Sequence, residues 1–344
     1  MTKFLEEKIA LLQGGYHSFW DIKEKRMVKT FKVYIPWGCP DWGEENGQRN
    51  NLCTFCSIPN AVLNYRQIFY DGKKIPIQDH VELFDMVLRS IDADTHTLKI
   101  FNGGSFLSMP NDLQRNIFSI VGEYSFKRII IESRSALINE SSIHQLLYVI
   151  NTTQHLLIRI GVETQDNELR NKILKKGHSR NQLKDASKLL KNHGIISGAY
   201  VLLNPAPGLS LEASLKETMK TFEFVFDDLK MDEIYFSPTN VGPGSILADY
   251  WRKGEFAPAN LWMVMKIIKY GQKYGQRVHL LPFKDEPEFL AVPSNHVPQG
   301  IPQSLEGAKG CDLEFHRILQ LYRDTMDPSV LVPPQCDCKP DWFD

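Results

Sequence analysis

From residue 31 to residue 283, short apolar runs alternate with longer amphipathic stretches, and this alternation constrains the chain more than any other feature. The runs are FKVYIP (31–36), TLKIF (97–101), RIIIE (128–132), LIRIGVE (157–163), GAYVLLN (198–204) and EIYFSP (233–238), with RVHLLPF (277–283) as a candidate seventh. Runs this short and this apolar read as strands buried on both faces. The stretches 77–92, 181–193, 211–227 and 259–274 repeat their apolar residues at helical period; in the first, Val81, Leu83, Phe84, Val87 and Leu88 share a face. Every crossover is long enough for a helix, so the strands are parallel and the helices lie outside them. The expected class is α/β, a partial parallel (β/α)6 TIM-like barrel, although a doubly wound open sheet satisfies the same alternation. Residues 1–284 form the expected barrel, with the N-terminal segment 1–30 included. From 285 to 344 proline accumulates and the alternation stops, which reads as a C-terminal extension.

Charge and hydropathy exclude several function classes. The net charge of −1 does not advertise a nucleic-acid binder, leaving only local basic faces to consider. One such face is the stretch from Arg170 to Lys191, with eight basic residues and one acid, Asp185. Lys184, Lys188 and Lys191 are spaced like the solvent side of a helix, with phosphate contacts as the alternative. No apolar run approaches the ~20 residues of a membrane span, and the first residues do not join a basic start to an apolar stretch. The expectation is a cytoplasmic protein with no membrane partner.

Six cysteines fall into two groups, Cys39, Cys53 and Cys56, then Cys311, Cys336 and Cys338. Such clustering argues for metal or cluster ligation rather than disulfides. The first group follows the first strong strand, at the strand end where α/β barrels place their chemistry. Three thiolates can hold three irons of a cubane and leave the fourth open. A zinc ion with a further, non-cysteine ligand is the alternative. The second group offers a second site, zinc or an auxiliary iron–sulfur cluster, or three unligated thiols. Polar and glycine residues close the next strands: Gly103, Gly104 and Ser105 in FNGGSF, Glu132 and Arg134 in IESR, Glu163 and Gln165 in GVETQ. Residues at successive strand ends converge on a barrel mouth.

Together, the three-cysteine loop, FNGGSFL (101–107), IESRSALI (131–138), GVETQDNELR (161–170) with KKGHS (175–179), SPTNVGPGSILADYW (237–251), ANLW (259–262) and the tail CDC (336–338) with Trp342 resemble the radical S-adenosylmethionine (SAM) superfamily. The branch resembled is that of the Elongator catalytic subunit, and within it the archaeosine synthase radical SAM subunit family. The resemblance implies a 4Fe–4S cluster on Cys39, Cys53 and Cys56 whose open iron binds SAM. It implies reductive cleavage of SAM to a 5′-deoxyadenosyl radical, with the electron from a flavodoxin- or ferredoxin-like donor. It places Gly103, Gly104, Ser105, Glu132, Arg134, Glu163 and Gln165 around SAM, and Thr239 and Asn240 toward substrate. A tRNA nucleoside as substrate and a partner enzyme subunit are further implications. Two positions depart from the family pattern, Ala308 where a further cysteine is expected and Asn204 where a lysine is expected. The other functions to be weighed are radical chemistry on a small molecule or peptide, and a zinc-stabilised binding module without catalysis.

Overall fold

The computed structural model describes residues 3–39, 53–150, 154–285 and 287–343. The polar insertion between Cys39 and Cys53, with Gly43 and Gly47, lies outside the described residues. The chain divides into two compact units. The first comprises Met1–Asn51, Ile58–Gly161 and Asn181–Gly198, and the second Leu52–Ser57, Val162–Arg180 and Ala199–Asp344.

The first unit carries helices α1 (Lys3–Ala10), α2 (Ile58–Tyr70), α3 (Ile77–Arg89), α4 (Asn111–Gly122), α5 (Glu140–Val149) and nearly all of α6 (Arg180–Asn192). Its strands are β1 (Gln13–Asp21), β2 (Arg26–Tyr34), β3 (Thr97–Phe101), β4 (Arg128–Ser133) and most of β5 (His155–Glu163). β1 and β2 are antiparallel, while β2 to β5 run parallel. The register aligns Phe31, Leu98, Ile129 and Leu156 in one row across four strands, all of them buried. The second unit carries most of β6 (Ile196–Leu203), then β7 (Glu233–Pro238) and β8 (Val278–Leu280), with α7 (Leu211–Glu223), α8 (Ile246–Arg252), α9 (Leu261–Gly271) and α10 (Asp312–Thr325). β7 and β8 are parallel, Tyr235 opposite His279. Strand order in the sheet follows chain order, β1 to β8. Residues beyond 285 pack within the second unit, where α10 lies against α9 and β8.

The expected strands form close to their expected bounds, and the seventh run forms β8. The antiparallel β1 departs from the expected pattern, because QGGYHSFWD carries two glycines after its first residue and exposes alternate residues. Its turn is nonetheless local chemistry. Asp21 Oδ1 accepts from Lys23 N at 2.8 Å and Glu24 N at 2.9 Å, and Lys25 takes a left-handed φ of 52°. The same carboxylate accepts from Arg128 Nη2 at 3.0 Å, joining β1 to β4 through a buried pair.

The buried stripe of α3 is His80, Leu83, Phe84, Val87 and Leu88. His80 takes the place expected for Val81, which is only half-buried. The imidazole lies 5.4 Å from the Trp37 ring, and burial pulls its pKa down to about 4. The unfolded chain, with an ordinary histidine near 6.5, therefore takes up a proton before the folded chain does. Stability is full above that value and falls as pH drops toward 4. Urea unfolding across this window is expected to show His80→Leu losing less stability than the native chain, by up to about 3 kcal/mol.

Candidate metal centre

In the first unit, β2 continues into a segment that ends at Cys39. Ile35 N donates to Phe101 O at 2.6 Å and Gly38 N to Asn102 O at 2.8 Å, so the segment runs along the end of β3. Arg66 Nη2 donates to Trp37 O at 2.8 Å from α2. The glycine pair after β3 is explained by this approach. A Cβ on Gly104 would lie 2.6 Å from both Cys39 Cα and Gly38 O, and Gly103 has φ +73° with the side chains of Val62 and Ile58 against it. Ser105 is buried, its Oγ accepting from Arg134 N at 3.0 Å and its carbonyl from Asn102 Nδ2 at 2.9 Å. Burial holds the Arg134 guanidinium below the ordinary arginine value, and the Cys39 thiol acts in the opposite direction. The ends of β2, β3 and β4 thus bring Cys39, Gly103, Gly104, Ser105 and Arg134 together, and Glu132 is half-buried on β4.

In the second unit, Cys53 and Cys56 bracket a turn closed by Cys56 N donating to Cys53 O at 3.0 Å. Thr54 N donates to Leu174 O at 3.2 Å, and Thr54 O accepts from Leu247 N of α8 at 2.8 Å. Cys53 Sγ lies 4.0 Å from Lys175 O. The residues 174–178 are fixed from below by Arg170, which is fully buried and donates to His178 O at 2.8 Å and Thr164 O at 2.7 Å. Lys176 Nζ lies 2.6 Å from Glu163 Oε1 at the end of β5. A Cβ on Gly242 would lie 2.3 Å from Ser57 Oγ, so the segment that carries Thr239 and Asn240 abuts the cysteine turn.

Gln165 takes a different place from its neighbours. Its Nε2 donates to Glu217 Oε2 at 2.9 Å, its backbone N to Thr221 Oγ1 at 2.9 Å, and Arg180 donates to its Oε1. The basic stretch is also not one surface. Arg170 is internal and Lys176 pairs with Glu163, whereas Lys184, Lys188 and Lys191 are exposed on α6. Asn204 has a left-handed φ of 54° and donates to Ala257 O at 2.8 Å.

Near the cysteines, four buried polar atoms make no hydrogen bond among the described residues: Asn102 Oδ1, Thr54 Oγ1, Thr239 Oγ1 and Asn240 Oδ1. Each belongs to a segment that carries or abuts a cysteine. Buried acceptors of this kind normally have partners, and leaving one unsatisfied costs about 1–3 kcal/mol. Thr239 and Asn240 are singled out by the sequence, whereas Asn102 and Thr54 are not, their only signal being adjacency to FNGGSF and to C-x2-C.

The C-terminal cysteines gather around His296. Its Nε2 lies 3.4 Å from Cys311 Sγ and 3.5 Å from Cys336 Sγ, and Cys338 Sγ lies 3.4 Å from Cys311 Sγ and 2.9 Å from Cys336 Sγ. All four ligand atoms lie within 4.8 Å of one another. Asn295 Nδ2 and Trp262 Nε1 donate to Cys311 and Cys338 at 3.5 and 3.4 Å, the outer hydrogen bonds that orient thiolate ligands. Burial pushes the Cys311 thiol up, while hydrogen bonding from Cys338 pulls Cys336 down. Position 308 carries alanine, and His296, 15 residues before Cys311, offers a further donor atom beside the three thiols. Its distance in the chain hid it from spacing arguments.

No family model matches the chain. Archaeosine synthase subunit beta of Methanosarcina acetivorans is 23% identical over 331 residues, covering 94% of this chain and 86% of that protein. The tRNA uridine(34) acetyltransferase of Methanocaldococcus infernus is 30% identical over 146 residues, 42% of this chain and 26% of that one. Among solved structures, Methanocaldococcus infernus Elp3 with an N-terminal deletion superposes with a TM-score of 0.51 at 18% identity, over 74% of this chain and 60% of that one. The likeness to Elp3 shows the fold, an α/β partial barrel.

The glycine pair gives a direct check on the site. Gly104→Ala would place its methyl group against the Cys39 backbone, which cannot yield as a side-chain tip can. Anaerobic reconstitution of this variant is expected to incorporate less than about half the native iron. Its far-UV spectrum should be unchanged, since the methyl meets a loop rather than a strand core.

Proposed function

We propose that Cys39, Cys53 and Cys56 hold a 4Fe–4S cluster, that SAM binds at its open iron, and that the chain modifies a tRNA nucleoside in the cytoplasm together with a partner subunit. The observation that carries the cofactor part is the set of buried, unpartnered oxygens on the segments around the three cysteines. Three half-buried thiols and a backbone cradle beside Cys39 fit a cluster with one open corner. Such a cluster, fed by a flavodoxin- or ferredoxin-like donor, supplies one-electron reductive cleavage of SAM and hydrogen abstraction from the substrate. Arg134, fixed through its backbone by Ser105 and close to Cys39, is the residue assigned to the SAM carboxylate, and Glu132 to the ribose. Thr239 and Asn240 are assigned to substrate, with oxygens able to accept from its N–H or O–H groups. The tRNA part rests on the relatives' names, archaeosine synthase subunit beta and a tRNA uridine(34) acetyltransferase. Among the described residues no helix is long and apolar enough to cross a membrane.

Iron content and SAM cleavage, measured with and without tRNA across a salt series, test this reading. Alanine at any of the three cysteines should abolish both iron and cleavage. Thr239→Val should keep the iron, weaken the response to substrate, and stabilise the ligand-free chain by about 1 kcal/mol, because it removes a buried unsatisfied hydroxyl. Cleavage that ignores tRNA at every salt concentration would turn the substrate assignment toward a small molecule or peptide.

The second cysteine group fits one zinc ion. Four donor atoms this close suit a single tetrahedral ion, whose sulfur ligands lie ~3.8 Å apart, and are too close for the corners of a cubane. His296, Cys311, Cys336 and Cys338 would act structurally, tying α10 and the tail to Trp262 of α9. Atomic absorption should find one zinc per chain, and His296→Ala should lower both zinc content and the melting temperature. Native thermal stability after complete removal of zinc by a chelator would contradict a structural role.

A further inference from the structure

Lys176 is left without a task by the roles assigned so far, and its setting is unusual. Its side chain is 16% exposed and that of Glu163 4% exposed, with the ammonium 2.6 Å from the carboxylate. Glu163 holds a left-handed φ of 64°, a conformation that costs a non-glycine residue about 1–3 kcal/mol. A buried ion pair is a poor source of stability, since desolvation of both charges offsets their attraction. Strained backbone and buried charge together therefore point away from a purely structural purpose. The pair is also aimed. Lys176 Nζ lies 5.6 Å from the ring centroid of Phe55, which sits between Cys53 and Cys56 in sequence, and the next residue back contributes the carbonyl beside Cys53 Sγ. The Glu163 carboxylate beside the lysine is the counter-ion that keeps the ammonium charged. The loop that carries it is fixed by the buried Arg170 guanidinium, so the charge has a defined place.

We propose that Lys176, held in place by Glu163, is a positioning residue that sets how readily the cluster accepts its electron. The proposal rests on the assignment of Cys39, Cys53 and Cys56 as cluster ligands. Reduction adds one electron to a core already surrounded by thiolate charge. A fixed cation close by in a low-dielectric setting stabilises the added charge, and net charge is one of the levers that tune iron–sulfur potentials. The electron comes from a low-potential one-electron carrier, a reduced flavin or iron–sulfur protein, and no bond is made or broken at Lys176. Glu163 opposes the effect in charge while enforcing it in geometry, which gives the two residues opposite signatures.

The test is a mediated redox titration of the reconstituted full chain without SAM, followed by electron paramagnetic resonance, with iron counted in every sample. Lys176→Met should make reduction about tenfold less favourable, a midpoint about 59 mV more negative for one electron. Lys176→Arg should stay near the native midpoint, and Glu163→Gln should shift it to more positive values. A role in packing alone would lower stability or iron in both neutral variants without opposite shifts. Lys176→Met with full iron and the native midpoint would overturn the proposal. If that variant holds no iron, an unmoved midpoint in Glu163→Gln does the same. A native chain that incorporates no 4Fe–4S cluster would instead remove the cysteine assignment, and this proposal with it.

Discussion

Parallel pairing of β2, β3, β4 and β5 sends the carboxyl ends of these strands to one edge, and in the first unit every residue assigned to the cofactor depends on that. Each crossover returns the chain through a helix to the opposite edge, so whatever follows a strand meets whatever follows its neighbours. Cys39 follows β2, the glycine pair and Ser105 follow β3, and Arg134 follows β4. The bond from Arg134 N to Ser105 Oγ and the fit of Gly104 beneath Cys39 are consequences of this shared edge. A thiol on a loop is useful as a ligand only if the loop backbone is held. Here the holding is done by main-chain hydrogen bonds to β3 and by the absence of a side chain at position 104.

The second unit solves the same problem with charge. Its cysteine turn is pinned to residues 174 and 175, and these are set by an arginine that has no exposure to solvent. Arg170 spends its guanidinium on carbonyl oxygens rather than on an acidic partner, so it shapes the loop without cancelling nearby charge. A rigid support behind a ligand loop is what an active constellation requires. The unpartnered oxygens of Thr54, Thr239 and Asn240 are the counterpart of that rigidity. Leaving them without a protein partner carries a local cost, and their proposed binding role rests on that observation.

The C-terminal residues show how a fold can complete a site that spacing leaves open. Cys336 and Cys338 are close in sequence and were legible as a pair of ligands, while Ala308 suggested a missing partner. His296, carried by a proline-flanked segment beside the start of α10, offers the further donor atom. Spacing arguments work for ligands on one turn or one loop. They fail when two segments with their own hydrogen bonds, here Ser294 and Asn295 to Asp312, bring the ligands together.

The sequence alone determined the α/β class, the parallel strands and the residues at their ends, because period and crossover length are local properties of the chain. It also grouped Cys39, Cys53 and Cys56 as one expected ligand set, through their position after the first strong strand and the motifs that follow. It read the basic stretch as one face, which holds for Lys184, Lys188 and Lys191 on α6 but not for Arg170 and Lys176. A lysine at a solvent position and one paired inside look identical until Glu163 and Arg170 are placed, and only packing placed them. Likewise, Gln165 read as one of a converging set, yet Glu217 and Arg180, both far from it in sequence or in another element, claim its amide. Tertiary structure alone decided which polar groups have protein partners. Hydrogen-bond satisfaction is a property of neighbours, and the neighbours of Thr239, Asn240, Lys176 and His296 come from segments that no local pattern connects.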